Sequence, residues 1–356
     1  MRLAITVALA VTIALSVFLI IPIDTAEAAS RTFTRNTTIA SNQTINPGET
    51  WTINPGVVLT VAPGVFINNS GTINNLYASS INNLGTINNL PGGKINNSGT
   101  IDNLSGGTIN NYNAINVGNF FGNDLTTINN EGTINNRGTI EIGYTINNYG
   151  TIHNYGTISN PGTINNYSTI NNYGTIINTT DLNNSGTIYN YPSGTIDNHG
   201  GIHTSGTINN FGTFVNPNGF IVNSGTINNS GTFSIGGPGG LNNSGTINNY
   251  CGATFINSGS FLGGPVVNIP CPTIENLLHD IKTMHISNSL KTSLSAPLKQ
   301  ALALLNDDNP SNDNGVCGKL GAFINHTSAK SGKGLTEEQT KQFLDMASSI
   351  RDNLGC

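Results

Sequence analysis

The chain has 356 residues, of which only 9% are Asp, Glu, Lys or Arg, and its formal net charge is −5. So few charges and no basic cluster exclude a surface that binds nucleic acid by neutralising phosphates. Its four cysteines are an even count, which in an exported chain favours disulfides.

In chain order, Met1 to Ala28 reads as a secretion signal: Arg2, an apolar run from Leu3 to Ile21, then Ala26-Glu27-Ala28 suited to cleavage. The expected location is secreted or at the cell surface. The run approaches the length that spans a bilayer, so an uncleaved anchor is the alternative and the one expected membrane contact. Residues 31–64 contain Asn-Pro-Gly twice, Ala-Pro-Gly once and the lone Trp51, and predict a cap that blocks an open solenoid end.

Residues 65–270 form the core of a repeat, Gly-Thr-Ile-Asn-Asn-x, that runs with drift from about Ile39 to Phe261. A six-residue period scatters the Ile side chains around an α-helix, but suits a short strand followed by a bend. In Thr-Ile-Asn the alternation turns Ile inward and leaves Thr and the first Asn outward. The second Asn and the Gly tolerate left-handed backbone angles and are predicted at the bend. One hexad buries a single Ile and leaves two unpaired edges, so stacking is required. The fold class is therefore mainly β, a parallel β-solenoid, with asparagine side chains able to form amide ladders along its axis. The spacing of successive apolar residues alternates six, eight, six, eight through Ile39, Ile45, Ile53, Leu59, Ile67 and Ile73. That favours a flattened, two-sided coil; three hexads in each coil is the alternative.

At Cys271-Pro272 the composition changes, and residues 271–356 predict a small helical bundle. Apolar faces follow helical spacing at Ile274, Leu277, Leu278 and Ile281; at Leu298, Leu302 and Leu305; at Val316, Leu320, Phe323 and Ile324; and at Phe343, Leu344, Ala347 and Ile350. Thr336 and Gln339 have capping-box spacing. The segments LKQALALL and VCGKLGAFINHTSAKSGKGLTEEQTKQFLDMASSI, with the final Leu-Gly-Cys, resemble the FIMAH type of helical module of secreted archaeal and bacterial proteins. The GTINN and INPGVVLTVAPG segments resemble the β-solenoid repeats of exported surface proteins and haemagglutinin-like adhesins. These resemblances imply an extracellular multidomain protein.

Three disulfide pairings are open to Cys251, Cys271, Cys317 and Cys356. The preferred one joins Cys317 to Cys356, tying the third helix to the C-terminus, and Cys251 to Cys271, closing the solenoid end. No Cys-x-x-Cys or nearby His completes a metal site, and no metal or cofactor is expected. The Asp and Asn residues between Asn306 and Gly315, including Asp307, Asp308 and Asp313, lack EF-hand spacing and read as a polar connector.

A polysaccharide-cleaving β-helix needs clustered carboxylates and a base. Between Trp51 and Pro270 the acids Asp102, Asp124, Glu131, Glu141, Asp181 and Asp197 are scattered, and the basic residues are Lys94 and Arg137. Asp197, His199 and His203 form the best local group, yet Asp197 and His203 follow Ile in successive hexads, hence on different sides of a coil, while His199 sits at a corner. A non-enzymatic role is expected, contact with carbohydrate or other matrix polymers through outward Thr, Asn and Tyr. Tyr149, Tyr155, Tyr167 and Tyr173, with Tyr112, Tyr250 and Phe211, share the third position after Ile and form aromatic strips wherever corners stack. The rival reading is that these rings pack only one another. An enzyme acting on polysaccharide, and an ice- or mineral-binding Thr/Asn array, are the other two classes. Asn36, Asn42, Asn68, Asn96, Asn103, Asn166, Asn178, Asn183, Asn228, Asn242 and Asn325 each stand two before Ser or Thr and are glycosylation candidates, as in a glycoprotein.

Overall fold

The computed structural model describes residues 30–118, 126–307 and 314–356; the predicted secretion signal, Asp124, Asp308 and Asp313 lie outside them. The repeat winds into a β-solenoid of three parallel sheets, each 12-stranded. The first sheet begins with Arg31–Phe33, the second with Thr37–Ile39 and the third with Gln43–Ile45. Every third strand then adds to the same sheet.

The two-sided coil is thus corrected to a three-sided one. In its uniform middle, residues stacked on one another are 18 apart in sequence; elsewhere the interval runs from 19 to 27. The two-residue insertions are β-turns that visit all three corners. They close at Glu49 N–H to Asn46 C=O, Ser79 N–H to Leu76 C=O and Gly107 N–H to Leu104 C=O, after strands of the third, first and second sheets respectively.

A typical strand is Thr-Ile-Asn-Asn, four residues long, with Thr and the first Asn half-exposed and Ile and the second Asn buried. The Ile residues stack in register, as in Ile134 on Ile152 and Ile152 on Ile170. Each is worth about 1.5–3 kcal/mol of transfer free energy. The second Asn does not sit at a left-handed bend. It completes the strand and points inward; Asn136, Asn154 and Asn172 have no exposed surface.

Burial of an amide is tolerable only when its hydrogen bonds are made. Here they are. The Asn154 side-chain amide donates to Asn172 Oδ1 at 2.8 Å and to the Thr175 carbonyl at 3.0 Å, while its Oδ1 accepts from Asn136. Under the third sheet this column runs unbroken from Asn69 to Asn249. Under the first sheet, Val117 and Ile142 replace two asparagines between Asn97 and Asn160. The interruption shows: Asn160 Oδ1, restarting the column, is buried without a partner, as is Asn83 Oδ1, which stacks on Val61.

Left-handed backbone falls instead on Ala78 and on turn glycines such as Gly48, Gly56, Gly64, Gly92 and Gly106. The hexad glycine is needed for a different reason. A Cβ on Gly156 would lie 2.1 Å from the Gly138 carbonyl oxygen, and one on Gly174 at 2.1 Å from that of Gly156. Corners stack closely there, and where Asn113, Tyr144, Ser168 or Thr180 takes that position the coil accommodates a side chain that Gly156 and Gly174 have no room for as they stand.

Residues 31–64 are the first coils themselves. Phe33, Ile39 and Ile45 lie in register with Ile53, Val61 and Asn69, the fourth strand position, while Trp51 takes the Ile position above Ile73. Trp51 is buried, packs edge-on to Phe33 at 5.2 Å, and both rings lie under the Arg31 guanidinium. These first coils are thus filled by apolar side chains, with the Arg31 guanidinium over two of their rings.

Four helices follow: α1 (Ile274–Thr283), α2 (Asn288–Leu305), α3 (Asn314–Ala329) and α4 (Glu337–Asn353). Their apolar faces meet in a second core centred on Leu277, Leu294, Leu298, Leu320, Phe323 and Phe343. Both arms of the Thr336–Gln339 capping box form, and Thr273 with Asn276 makes another. Helix α2 starts well before its apolar face at Leu298, carrying Pro297 inside it. The disulfides are Cys251–Cys271 and Cys317–Cys356.

Candidate functional site

Three corners run the length of the solenoid, and the residue that follows the buried Asn stands on one of them. Because a middle coil holds 18 residues, Tyr149 and Tyr167 stack on the corner between second and third sheets. Tyr155 and Tyr173 stack on the corner between third and first sheets. The four candidate tyrosines are therefore divided between two edges. Ring centroids are 4.8 Å apart in both pairs, with planes 8° and 5° apart.

The third-to-first edge is the richer. Tyr173 continues to Tyr191 at 4.1 Å, and Tyr191 to Phe211 at 6.4 Å. On the other side, Arg137 places its guanidinium 4.9 Å from the Tyr155 ring and 5.5 Å from that of Tyr112. Six side chains, from Tyr112 to Phe211, thus form one column. The ring faces cover one another, so the column presents ring edges and phenol oxygens to solvent rather than a flat aromatic platform. The hydrogen bond with Tyr191, then burial and the neighbouring phenols, push the Tyr173 pKa up to about 12.

The third sheet adjoins this edge. Its outward row from Thr86 to Thr246 is threonine in every strand. Beside it runs an outward row of asparagines whose amides bond one another, as in Asn110 to Asn88 and Asn135 to Asn110, both 2.8 Å. His153 and Tyr189 replace asparagine in that row, and each ring lies against an edge tyrosine, Tyr155 and Tyr191. Asn171 lies between them, its amide 3.3 Å from His153 Nδ1. Burial lowers the His153 pKa and keeps the imidazole neutral at pH 7.

The other candidates disperse. Asp197 and His199 do meet, 3.1 Å apart, at the corner between first and second sheets. His203 lies on the second sheet, edge-on to Phe220 at 5.3 Å. Glu141 lines a separate cleft of about 750 Å³ on the first sheet, with Asn96, Asn116 and Tyr144.

Three glycosylation candidates are corrected. Asn103, Asn166 and Asn178 are inward members of the amide columns with no exposed surface, so no glycan can reach them in the folded coil. Asn36 and Asn42 are exposed, but their Oδ1 atoms accept the backbone N–H of Val58 and Phe66. Asn68, Asn96, Asn183 and Asn228 belong to outward rows and bond their neighbours. Asn242 and Asn325 are exposed, and their side chains bond nothing among the described residues.

Sequence reasoning missed Arg137 and Tyr191 as column members. Tyr191 is followed by Pro-Ser-Gly instead of Gly, which masks its equivalence, although it too is third after an Ile, Ile188. Arg137 precedes Tyr155 by one coil, a relation that needs the three-sided winding. No family model, curated protein or solved structure matches this chain.

Proposed function

We propose that this is a non-enzymatic extracellular repeat protein that contacts carbohydrate or matrix polymers lengthwise, along the Tyr112–Phe211 edge and the adjoining third sheet. The observation that carries the reading is registry: phenol, hydroxyl and amide groups repeat along one straight edge at the strand spacing. A polymer with its own repeat gains many weak contacts there without a pocket. Export by the N-terminal segment, glycosylation at Asn242 and Asn325, an adhesin-like role for the repeats and a FIMAH-like identity for the helical module belong to the same proposal.

A panel of immobilised polysaccharides, probed with the full chain, tests it. Tyr155→Ala with Tyr173→Ala is expected to weaken capture at least tenfold, while Tyr149→Ala on the other edge changes it less. Equal capture by all variants, or polysaccharide turnover that Asp197→Asn abolishes, would sink the reading.

One further observation favours a second reading. The unbroken Thr86–Thr246 row is an uncharged hydroxyl array with one spacing, suited to an ice or mineral lattice. It predicts thermal hysteresis that Thr169→Tyr removes; its absence at millimolar protein ends that reading.

A further inference from the structure

We propose that the stretch of edge between Lys94 and Arg137 docks an acidic polysaccharide, with Arg137 gripping a uronate carboxylate; this rests on the polymer-contact reading above and names its ligand class.

The argument begins with where the cations are. Between Trp51 and Pro270 the solenoid has two, Lys94 and Arg137, and the winding brings both to the third-to-first edge. Lys94 opens a strand of the first sheet and pairs with Ala114, which pairs with Thr139, two residues after Arg137. The two cations are thus two strand spacings apart, about 10 Å along the axis. Tyr112 occupies the same edge in the coil between. Chance would scatter two residues over three edges and three faces.

The setting of Arg137 adds a second, independent argument. Its guanidinium carbon lies 4.9 Å from the ring centre of Tyr155 and 5.5 Å from that of Tyr112, one ring in the coil on either side. A guanidinium so held keeps its in-plane N–H fork free and loses little entropy on binding, the geometry that suits a carboxylate. Among the described residues that fork has no acceptor: the single ion pair there is Asp197 with His199, and Glu141, in the strand that Arg137 leads into, makes none with it.

Charge density selects the polymer. Duplex DNA carries a charge every ~1.7 Å, so two cations over about 10 Å leave most phosphates unmatched. A polyuronate has fewer charges and a hydroxyl on nearly every remaining carbon, and beyond Arg137 the edge offers the phenols of Tyr155, Tyr173 and Tyr191.

The test compares polygalacturonate, its fully methyl-esterified form and a neutral β-glucan as ligands for the full chain. Polygalacturonate is expected to bind at least tenfold tighter than its ester, and added salt to remove that margin. Arg137→Gln is expected to erase the margin, Arg137→Lys to restore part of it, and Lys94→Gln to reduce it severalfold. A charged hydrogen bond is worth about 1.5–3 kcal/mol, or roughly 10- to 150-fold in affinity. Equal binding of acid and ester, or a margin that survives Arg137→Gln combined with Lys94→Gln, overturns the inference and leaves the polymer-contact reading standing. Binding of no polysaccharide overturns both. Unchanged far-ultraviolet circular dichroism establishes that each variant keeps its coils.

Discussion

In the first coils the fourth strand position is apolar, Ile45, Ile53 and Val61, and each is followed by a β-turn with a left-handed glycine, Gly48, Gly56 or Gly64. In the middle coils that position is asparagine and the corner after it is two residues shorter, as at Asn136, Asn154 and Asn172. The difference teaches what the buried amide does. An apolar residue fills the coil but leaves corner carbonyls to a turn that bonds within itself. An asparagine satisfies them from inside: Asn172 bonds the Gly174 carbonyl in its own corner and the Thr195 carbonyl beyond. Turns also follow Asn75, Asn89 and Asn103, so the amide permits the short corner without imposing it. Ile142 makes a short corner without an amide, with Gly143 and Tyr144.

The largest test of this contrast removes one amide. Asn154→Ala deprives Asn136, Asn172 and the Thr175 carbonyl of their partner, and at about 1–3 kcal/mol for each buried unsatisfied group the cost should reach about 4 kcal/mol. Ile53→Val in the first coils removes only a methyl group and should cost about 1 kcal/mol. Repeat arrays open locally, so hydrogen exchange of the coil amides is the suitable measurement. Equal loss of protection in the two variants would refute the division of labour.

Next in size are the two kinds of glycine. Gly156→Ala drives a Cβ onto the Gly138 carbonyl oxygen and should cost about 3 kcal/mol, the upper range for overpacking. Gly56→Ala meets nothing within 4 Å and pays only for its left-handed φ of 77°, about 1–2 kcal/mol. If both variants lose the same stability, close approach is not the reason for glycine in the hexad.

This distinction also marks what could be read from the residues alone. The six-residue period was legible because a strand's side chains alternate and one Ile in each hexad must go inside. The number of sides was not, since the two-residue insertions are compatible with either winding until their corners are known. The second Asn was assigned to the bend on backbone tolerance, a local property. Its actual position is set by a partner one coil away, such as Asn154 for Asn136, 18 residues on. The candidate edge inherits the same dependence: that Tyr155 meets Tyr173 and Arg137 follows only once a coil is known to hold three hexads. Lys94 and Arg137 are far apart in the chain and become neighbours through the winding.

The smallest expected effect lies on the edge itself, where middle coils carry stacked rings and the first coils none. Tyr173→Leu removes two stacked contacts, each worth about 0.5–1.5 kcal/mol beyond area, from rings 4.8 and 4.1 Å away. The phenol also reports through its titration. Its pKa is raised to about 12 in the folded protein, above the usual 10.0, because the protonated form bonds Tyr191 and is shielded by neighbouring rings. A raised folded value means that its stabilisation is complete below pH 10 and is lost as the pH climbs through 12. Absorbance of phenolate should therefore show a late stage that belongs to Tyr173. Tyr173→Phe keeps the ring stack and should delete the late stage with little loss of thermal stability. A late stage that persists in this variant would place the perturbed phenol elsewhere and leave the column held by ring contact alone.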